Sequence, residues 1–237
     1  MRFYRRLSPI KAMTFDLDDT LYDNRPIIRR VESEITQWLH QQYPVSASKP
    51  YAWWQQVKLE VASLDPMLKH DVTRWRFEQI LQGLIKLGLD NAQARSAAQA
   101  TIEKVLMLRS QFEVPRESHR VLKLLSERYP LVAITNGNVD VSKIGLDDYF
   151  SLTLKAGPDG KAKPHADLFS KASAFLNIAP KDILHIGDHL ITDVAGAKRN
   201  GFQACWYNDQ DTNLMQHPKS RTLPDIEINQ LDSLLRL

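Results

Sequence analysis

The stretch Lys11-Ala12-Met13-Thr14-Phe15-Asp16-Leu17-Asp18-Asp19-Thr20 decides how this chain is read. Its first half is apolar and strand-like, and its second half is acidic. Acidic side chains are depleted in strand interiors, so the strand stops at Asp16 and the carboxylates lie just beyond its C-terminal end. Working outward, three later runs have the same character of buried strands: Leu131-Val132-Ala133-Ile134-Thr135, Ile183-Leu184-His185-Ile186-Gly187 and Phe202-Gln203-Ala204-Cys205-Trp206, with a weaker one at 150–154. Helical patterns at 117–128, 165–176 and 191–200 separate them. Alternation of this kind predicts a doubly wound, Rossmann-like α/β core whose parallel sheet is covered on both faces.

Residues 24–112 differ, because they carry helical periodicity without a convincing strand. Apolar positions such as Ile28, Val31, Ile35, Leu39, Trp54, Val57, Val61, Ile80, Leu81, Leu84, Ile102 and Val105 fit four amphipathic helices. Pro26 suits the first turn of the first helix, and Tyr43-Pro44 marks a break between the first helix and the second. The expected organisation is a core made of residues 1–23 and 114–237 with an all-α cap inserted at 24–113. The 237-residue length agrees with one large domain carrying an insertion.

Composition narrows the class. With 43% hydrophobic and 25% charged residues, the chain folds as an ordinary globular protein. A net charge of +3 spread over many charges of both signs gives no basis for a nucleic-acid partner, and the basic start (Arg2, Arg5, Arg6, Lys11) reads as a solvated arm. The single cysteine, Cys205, rules out an intramolecular disulfide and a metal–thiolate cluster. No apolar stretch suits a secretory signal or a spanning helix, so the expectation is a cytoplasmic protein without a membrane partner.

Four segments lie just past the C-terminal ends of the expected strands, where open parallel sheets bind ligands. They are Asp16-Leu17-Asp18-Asp19-Thr20, Thr135-Asn136-Gly137-Asn138, Lys163-Pro164, and Gly187-Asp188-His189-Leu190-Ile191-Thr192-Asp193. In these residues the chain resembles the haloacid dehalogenase superfamily, specifically its phosphatases, which share such a core and a cap. The first segment looks like the family's first motif, Thr135 its second, Lys163 its third, and Asp188 with Asp193 its fourth.

The residue types suit phosphoryl transfer on physical grounds as well. Asp16 is a carboxylate able to attack phosphorus and form an acyl phosphate. Asp18, two residues on, is placed to protonate the leaving alkoxide and then to deprotonate water. Thr135 (hydroxyl), Asn136 (backbone N–H) and Lys163 (charge) supply donors for the phosphoryl oxygens. Crowded carboxylates need a divalent cation, and Mg²⁺ prefers oxygen ligands from groups such as Asp16 and Asp188. The resemblance adds the backbone carbonyl of Asp18 as a ligand. Asp193 is either a further ligand or a partner orienting Lys163, the second role being preferred. His189 reads as a surface-loop residue and Lys161 as a solvated lysine.

The expected substrate is a small phosphorylated metabolite. A dehalogenase is disfavoured by the carboxylate at Asp18, because a halide leaves without a proton. A sugar-phosphate mutase needs the same core, and a non-catalytic binding module is disfavoured by the complete set of reactive residues. Within the cap, His70-Asp71-Val72-Thr73-Arg74-Trp75-Arg76 offers Arg74 and Trp75 as a platform for an aromatic substrate. Together with the stretches at 15–24 and 133–138, it resembles the bacterial flavin-pathway phosphatases. That resemblance implies activity on a phosphoribitylamino-pyrimidine of riboflavin synthesis and on flavin mononucleotide (FMN).

Overall fold

The computed structural model describes residues 1–217 and 222–237. Its centre is β2 (Ala12–Phe15), whose four residues are all buried. Alternation along that strand sends Met13 and Phe15 to one face of the sheet and Ala12 to the other. Around it lie β3 (Leu131–Thr135), β4 (Leu152–Lys155), β5 (Ile183–Gly187), β6 (Gln203–Tyr207) and β7 (Ile226–Ile228), with β1 (Arg2–Phe3) at one edge. The spatial order is β1-β7-β6-β5-β2-β3-β4, and every pair is parallel except β1 with β7.

β2 pairs with β3 on one side and β5 on the other, so the chain winds outward in both directions from β2. The crevice beyond its C-terminal end is where such a sheet binds ligands. On one face, Met13, Phe15, Ala133 and Ile186 pack with Val121, Leu122 and Leu125 of α5 (Arg116–Ser126). On the other, Ala12, Val132, Ile134 and Ala204 pack with Leu168, Phe169 and Ala172 of α6 (Ala166–Leu176). The sheet is thus covered on both faces, in agreement with the fold class read from the sequence.

Between β2 and α5 stand four α-helices: α1 (Asn24–Gln42), α2 (Tyr51–Leu64), α3 (Val72–Lys86) and α4 (Asn91–Arg109). Their own core joins Leu39, Trp54, Ile80, Leu81 and Leu84 to the small residues Ala94, Ala97 and Ala98 of α4. Asp71 caps α3 by accepting from the backbone of Thr73 and Arg74, and Asp90 caps α4 through Gln93. Among the described residues no helix is long and apolar enough to cross a membrane.

Two local readings are corrected. The basic start is no free arm throughout, because Arg2 and Phe3 pair with Glu227 and Ile226 as an edge strand. Two residues are too few for a period-two pattern to register. The helix expected at 191–200 begins as a π-helical turn (Leu190–Ala195) and becomes α-helical only in α7 (Gly196–Arg199). Wide turns of this type gather at functional sites, and this one carries Asp193.

Gly83 tests the packing of α2 on α3. A Cβ placed there would stand 2.1 Å from Trp54 Cζ3, inside the buried indole. Helix propensity alone favours alanine by about 1 kcal/mol, but overpacking of a rigid core typically costs about 1–3 kcal/mol. Gly83→Ala is therefore expected to lower the unfolding free energy in a denaturant titration, and a gain in stability would refute this packing.

Candidate active site

The site is assembled from the ends of β2, β3 and β5 and from the segment between β4 and α6. Asp16 directly follows β2, and its N–H donates to Ile186 O at 2.8 Å, which ties the loop to β5. Thr135 ends β3, and Asp188 comes directly after β5. Lys163 arrives from the segment before α6. Its ammonium is 2.8 Å from Asp16 Oδ1 and 2.6 Å from Asp193 Oδ1. All three side chains are buried.

Lys163 is held by a clasp that spacing alone does not reveal. The Asn136 side chain accepts from Lys163 N–H at 2.8 Å and donates to Lys163 C=O at 3.0 Å. The Thr135 hydroxyl oxygen accepts from Gly137 N–H at 2.9 Å, so its own proton is available to a ligand. Asp193 is saturated: Oδ1 faces Lys163 and His185 Nε2, and Oδ2 accepts from His189 N–H at 3.0 Å.

His185 does not stand out in the sequence, because it sits inside an apolar strand. Its Nδ1 is 2.8 Å from Thr14 Oγ1 and its Nε2 is 3.3 Å from Asp193 Oδ1. A carboxylate only accepts, so Nε2 carries the hydrogen and the threonine hydroxyl donates to Nδ1. Burial lowers the proton affinity of His185, keeping the ring neutral. A line of contacts thus runs from β2 through His185 and Asp193 to Lys163. His189, read as a loop residue, accepts through Nδ1 from the N–H groups of Ile191 and Thr192 and so starts the π turn.

The electrostatics are asymmetric. Burial pushes Asp16 up to about 7, against the pull of Lys163, with Asp193 and Asp18 adding to the rise. Burial, Asp193 and Asp16 push Asp188 up to about 8. For Asp193, burial is outweighed by Lys163 and His185, which hold it well below the usual carboxylate range. Lys163 is likewise raised, burial being outweighed by its two carboxylate partners. One oxygen each of Asp16, Asp188 and Asp193 lies within 4.8 Å of the others. Among the described residues, the Asp188 side chain accepts only a long 3.5 Å contact from Thr20 Oγ1. Hard oxygen donors, two of them driven toward protonation by burial and by neighbouring carboxylates, fit a divalent cation.

From the helical segment, Arg109 at the end of α4 is buried and ion-paired with Asp18. Tyr22 OH donates to the same oxygen, Asp18 Oδ1, at 2.7 Å. Neither residue stands out in the sequence. Thr73 Oγ1 accepts from Asn138 Nδ2 at 3.1 Å, and His70 meets His165 edge to face. Arg74 instead pairs with Asp65, and Trp75 donates to Lys58 O beneath the Lys58 ammonium. Successive helix positions rotate by about 100°, so with Thr73 turned toward the core, Arg74 and Trp75 turn to other neighbours.

A parallel sheet wound outward from β2, four loops at its C-terminal edge and a buried aspartate–lysine pair define a hydrolase of a recognisable kind. The family model for haloacid dehalogenase-like hydrolases matches residues 10–201, and the chain belongs to that family. It is 46% identical, over the whole of both chains, to the 5-amino-6-(5-phospho-D-ribitylamino)uracil phosphatase YigB of Escherichia coli K12. It is 28% identical to the glyceraldehyde 3-phosphate phosphatase of Pyrococcus furiosus, over 84% of this chain and 80% of that one. Among solved structures it is similar to a 2-haloacid dehalogenase from Pseudomonas syringae pv. Tomato DC3000. That similarity has a TM-score of 0.90 and 34% identity, over 96% of this chain and 97% of the other.

The carboxylates set a pH dependence. Asp16 and Asp188 bind protons more tightly folded than unfolded, so without a cation their contribution to stability is full below about pH 4 and drains as pH rises through about 7–8. A cation competes with those protons, so Mg²⁺ is expected to raise the melting temperature more at about pH 8.5 than at about pH 6. An equal or reversed increment in calorimetry would contradict this metal assignment.

Proposed function

We propose that this chain, a phosphoric monoester hydrolase, acts on a heteroaromatic ribityl phosphate through an aspartyl-phosphate intermediate. The observation that carries the substrate class is the end-to-end 46% identity to a phosphoribitylamino-uracil phosphatase. FMN shares the ribityl phosphate and an extended ring, and is the second expected substrate. Residues 24–113 act as the cap and the remainder as the catalytic core.

Asp16 attacks phosphorus while Asp18 delivers a proton to the departing ribityl oxygen. Asp18 then takes a proton from water, which attacks the acyl phosphate and frees Asp16 and inorganic phosphate. Lys163, the Thr135 hydroxyl and the Asn136 N–H hold the equatorial oxygens as charge spreads over them. Asp16, Asp188 and the Asp18 carbonyl would hold Mg²⁺, which when bound supplies the positive charge that keeps Asp16 ionised. Asp193, saturated by Lys163, His185 and His189, orients Lys163.

The ring has room in the cap. A cavity of about 490 Å³ is lined by Glu32 of α1, Trp54 and Lys58 of α2, and Arg76 and Gln79 of α3, among others. Asn24, at the start of α1, donates to Asp19 in the catalytic loop, and Glu32 is eight residues further, about 12 Å along the helix. That span suits a ribityl chain between ring and phosphate. Arg76, ion-paired with Glu32, is the arginine that lines this cavity.

A dehalogenase reading has the likeness to the Pseudomonas protein in its favour. Asp18 weighs against it, since carbon–halogen cleavage needs no leaving-group acid. Asp16→Asn is expected to reduce turnover to background, and Asp18→Asn to cost on the order of 10²–10⁴-fold. For the intact enzyme, kcat/KM for the ribitylamino-uracil phosphate and for FMN should exceed that for a hexose phosphate by at least about tenfold. A preference for the hexose phosphate would reject the substrate class. Chloride release from 2-chloropropionate without phosphate release from any ester would reject the phosphatase reading.

A further inference from the structure

Asp18 is held in an unusual way. Its Oδ1 receives both the Arg109 guanidinium, through Nη2, and the Tyr22 hydroxyl at 2.7 Å. Its Oδ2 points elsewhere: a Cβ on Gly137 would stand 2.4 Å from Asp18 Oδ2 and 3.3 Å from Thr135 Oγ1. One oxygen is therefore tied down, and the other sits over the loop that carries the phosphoryl donors.

Stability alone is a poor explanation for Arg109. It is 2% exposed, yet among the described residues Nη1 has no hydrogen-bond acceptor. A buried guanidinium with an unmatched donor forfeits much of what its ion pair returns, because desolvation of both charges must be offset by complete pairing. Each such group calls for an explanation, and a role in fixing geometry at a reactive site is one. Arg109 also comes from the last turn of α4, which places a helical-segment residue against a carboxylate of the core loop.

We infer that Arg109 and Tyr22 are positioning residues that immobilise Asp18 through Oδ1 and reserve Oδ2 for proton transfer. The inference rests on the proposed acid/base role of Asp18. In the first step the Asp16–phosphorus bond forms, the ester P–O bond breaks, and the leaving oxygen takes the proton from Oδ2. In the second, water attacks phosphorus and gives its proton back to Oδ2 as the bond to Asp16 breaks. Gly137 has no side chain because Oδ2 occupies that space.

The test compares leaving groups by kcat/KM, which reports steps up to departure of the alcohol. An alkyl phosphate needs a proton on its leaving oxygen, whereas 4-nitrophenolate departs without one. Asp18→Asn serves as reference, and purified Arg109→Met, Arg109→Lys and Tyr22→Phe are measured beside it with Mg²⁺ present. Arg109→Met is expected to lose about 30- to 100-fold on the ribityl phosphate and less than about fivefold on 4-nitrophenyl phosphate. Arg109→Lys should recover part of the loss, and Tyr22→Phe should show the same selectivity on a smaller scale. Equal losses on both substrates for Arg109→Met, with Asp18→Asn selective, would overturn the positioning role while leaving the acid/base reading intact. A non-selective Asp18→Asn would remove both. If Arg109→Met does not fold, the selectivity of Tyr22→Phe, whose ring packs on Phe112 without its hydroxyl, decides in the same way.

Discussion

The structure turns on one buried cation. Lys163 lies between Asp16 and Asp193 with almost no solvent contact, and an unpaired charge there would be prohibitive. Counting Asp188, three carboxylates face one ammonium, an imbalance of two negative charges when all are ionised. Two of the three carboxylates and the ammonium are buried, so water relieves little of that imbalance. The chain alone responds by raising the proton affinity of Asp16 and Asp188, whereas a divalent oxygen-seeking ion matches the deficit in both charge and ligand type.

Much of the fold exists to hold that cation still. β2 and β5 are neighbours, so Asp16 and Asp188 leave the sheet side by side. The π turn after β5 carries the Asp193 carboxylate onto Lys163, and His185 supports it from within the strand. On the opposite side, β3 delivers Asn136, whose side-chain amide grips both backbone groups of Lys163. A flexible lysine becomes a fixed charge because its backbone and its ammonium are both constrained.

Sequence is legible where polarity breaks a pattern. Asp16, Thr135 and Asp188 interrupt or end apolar runs, so their place at the strand ends can be read directly, and with it the α/β winding. His185 cannot, because a histidine inside Ile183–Gly187 leaves the strand pattern intact and its partner, Thr14, is 171 positions away. Arg109 is hidden for another reason: a basic residue in the last turn of a helix is what the helix dipole favours in any case. Arg74 and Trp75 draw attention by composition, but helical phase, which composition does not carry, turns Thr73 to the core instead. The edge strand β1 is two residues long and offers no period at all.

The way the helical segment is fastened ties substrate capture to chemistry. Its first residue donates to Asp19, and its last helix ends in the arginine that grips Asp18. Both attachments fall within three residues of Asp16, the proposed nucleophile. A third contact, Thr73 with Asn138, reaches the loop that carries Thr135 and Asn136. The attachment is apolar as well, since Ile27, Val31 and Ile35 of α1 and Val105 and Leu108 of α4 join the core cluster of Met13 and Phe15. With the ring seated as proposed in the cavity among α1, α2 and α3, binding energy gathered far from phosphorus has a short mechanical path to Asp18, the proposed acid and base. That is the condition under which remote contacts raise turnover and not merely affinity.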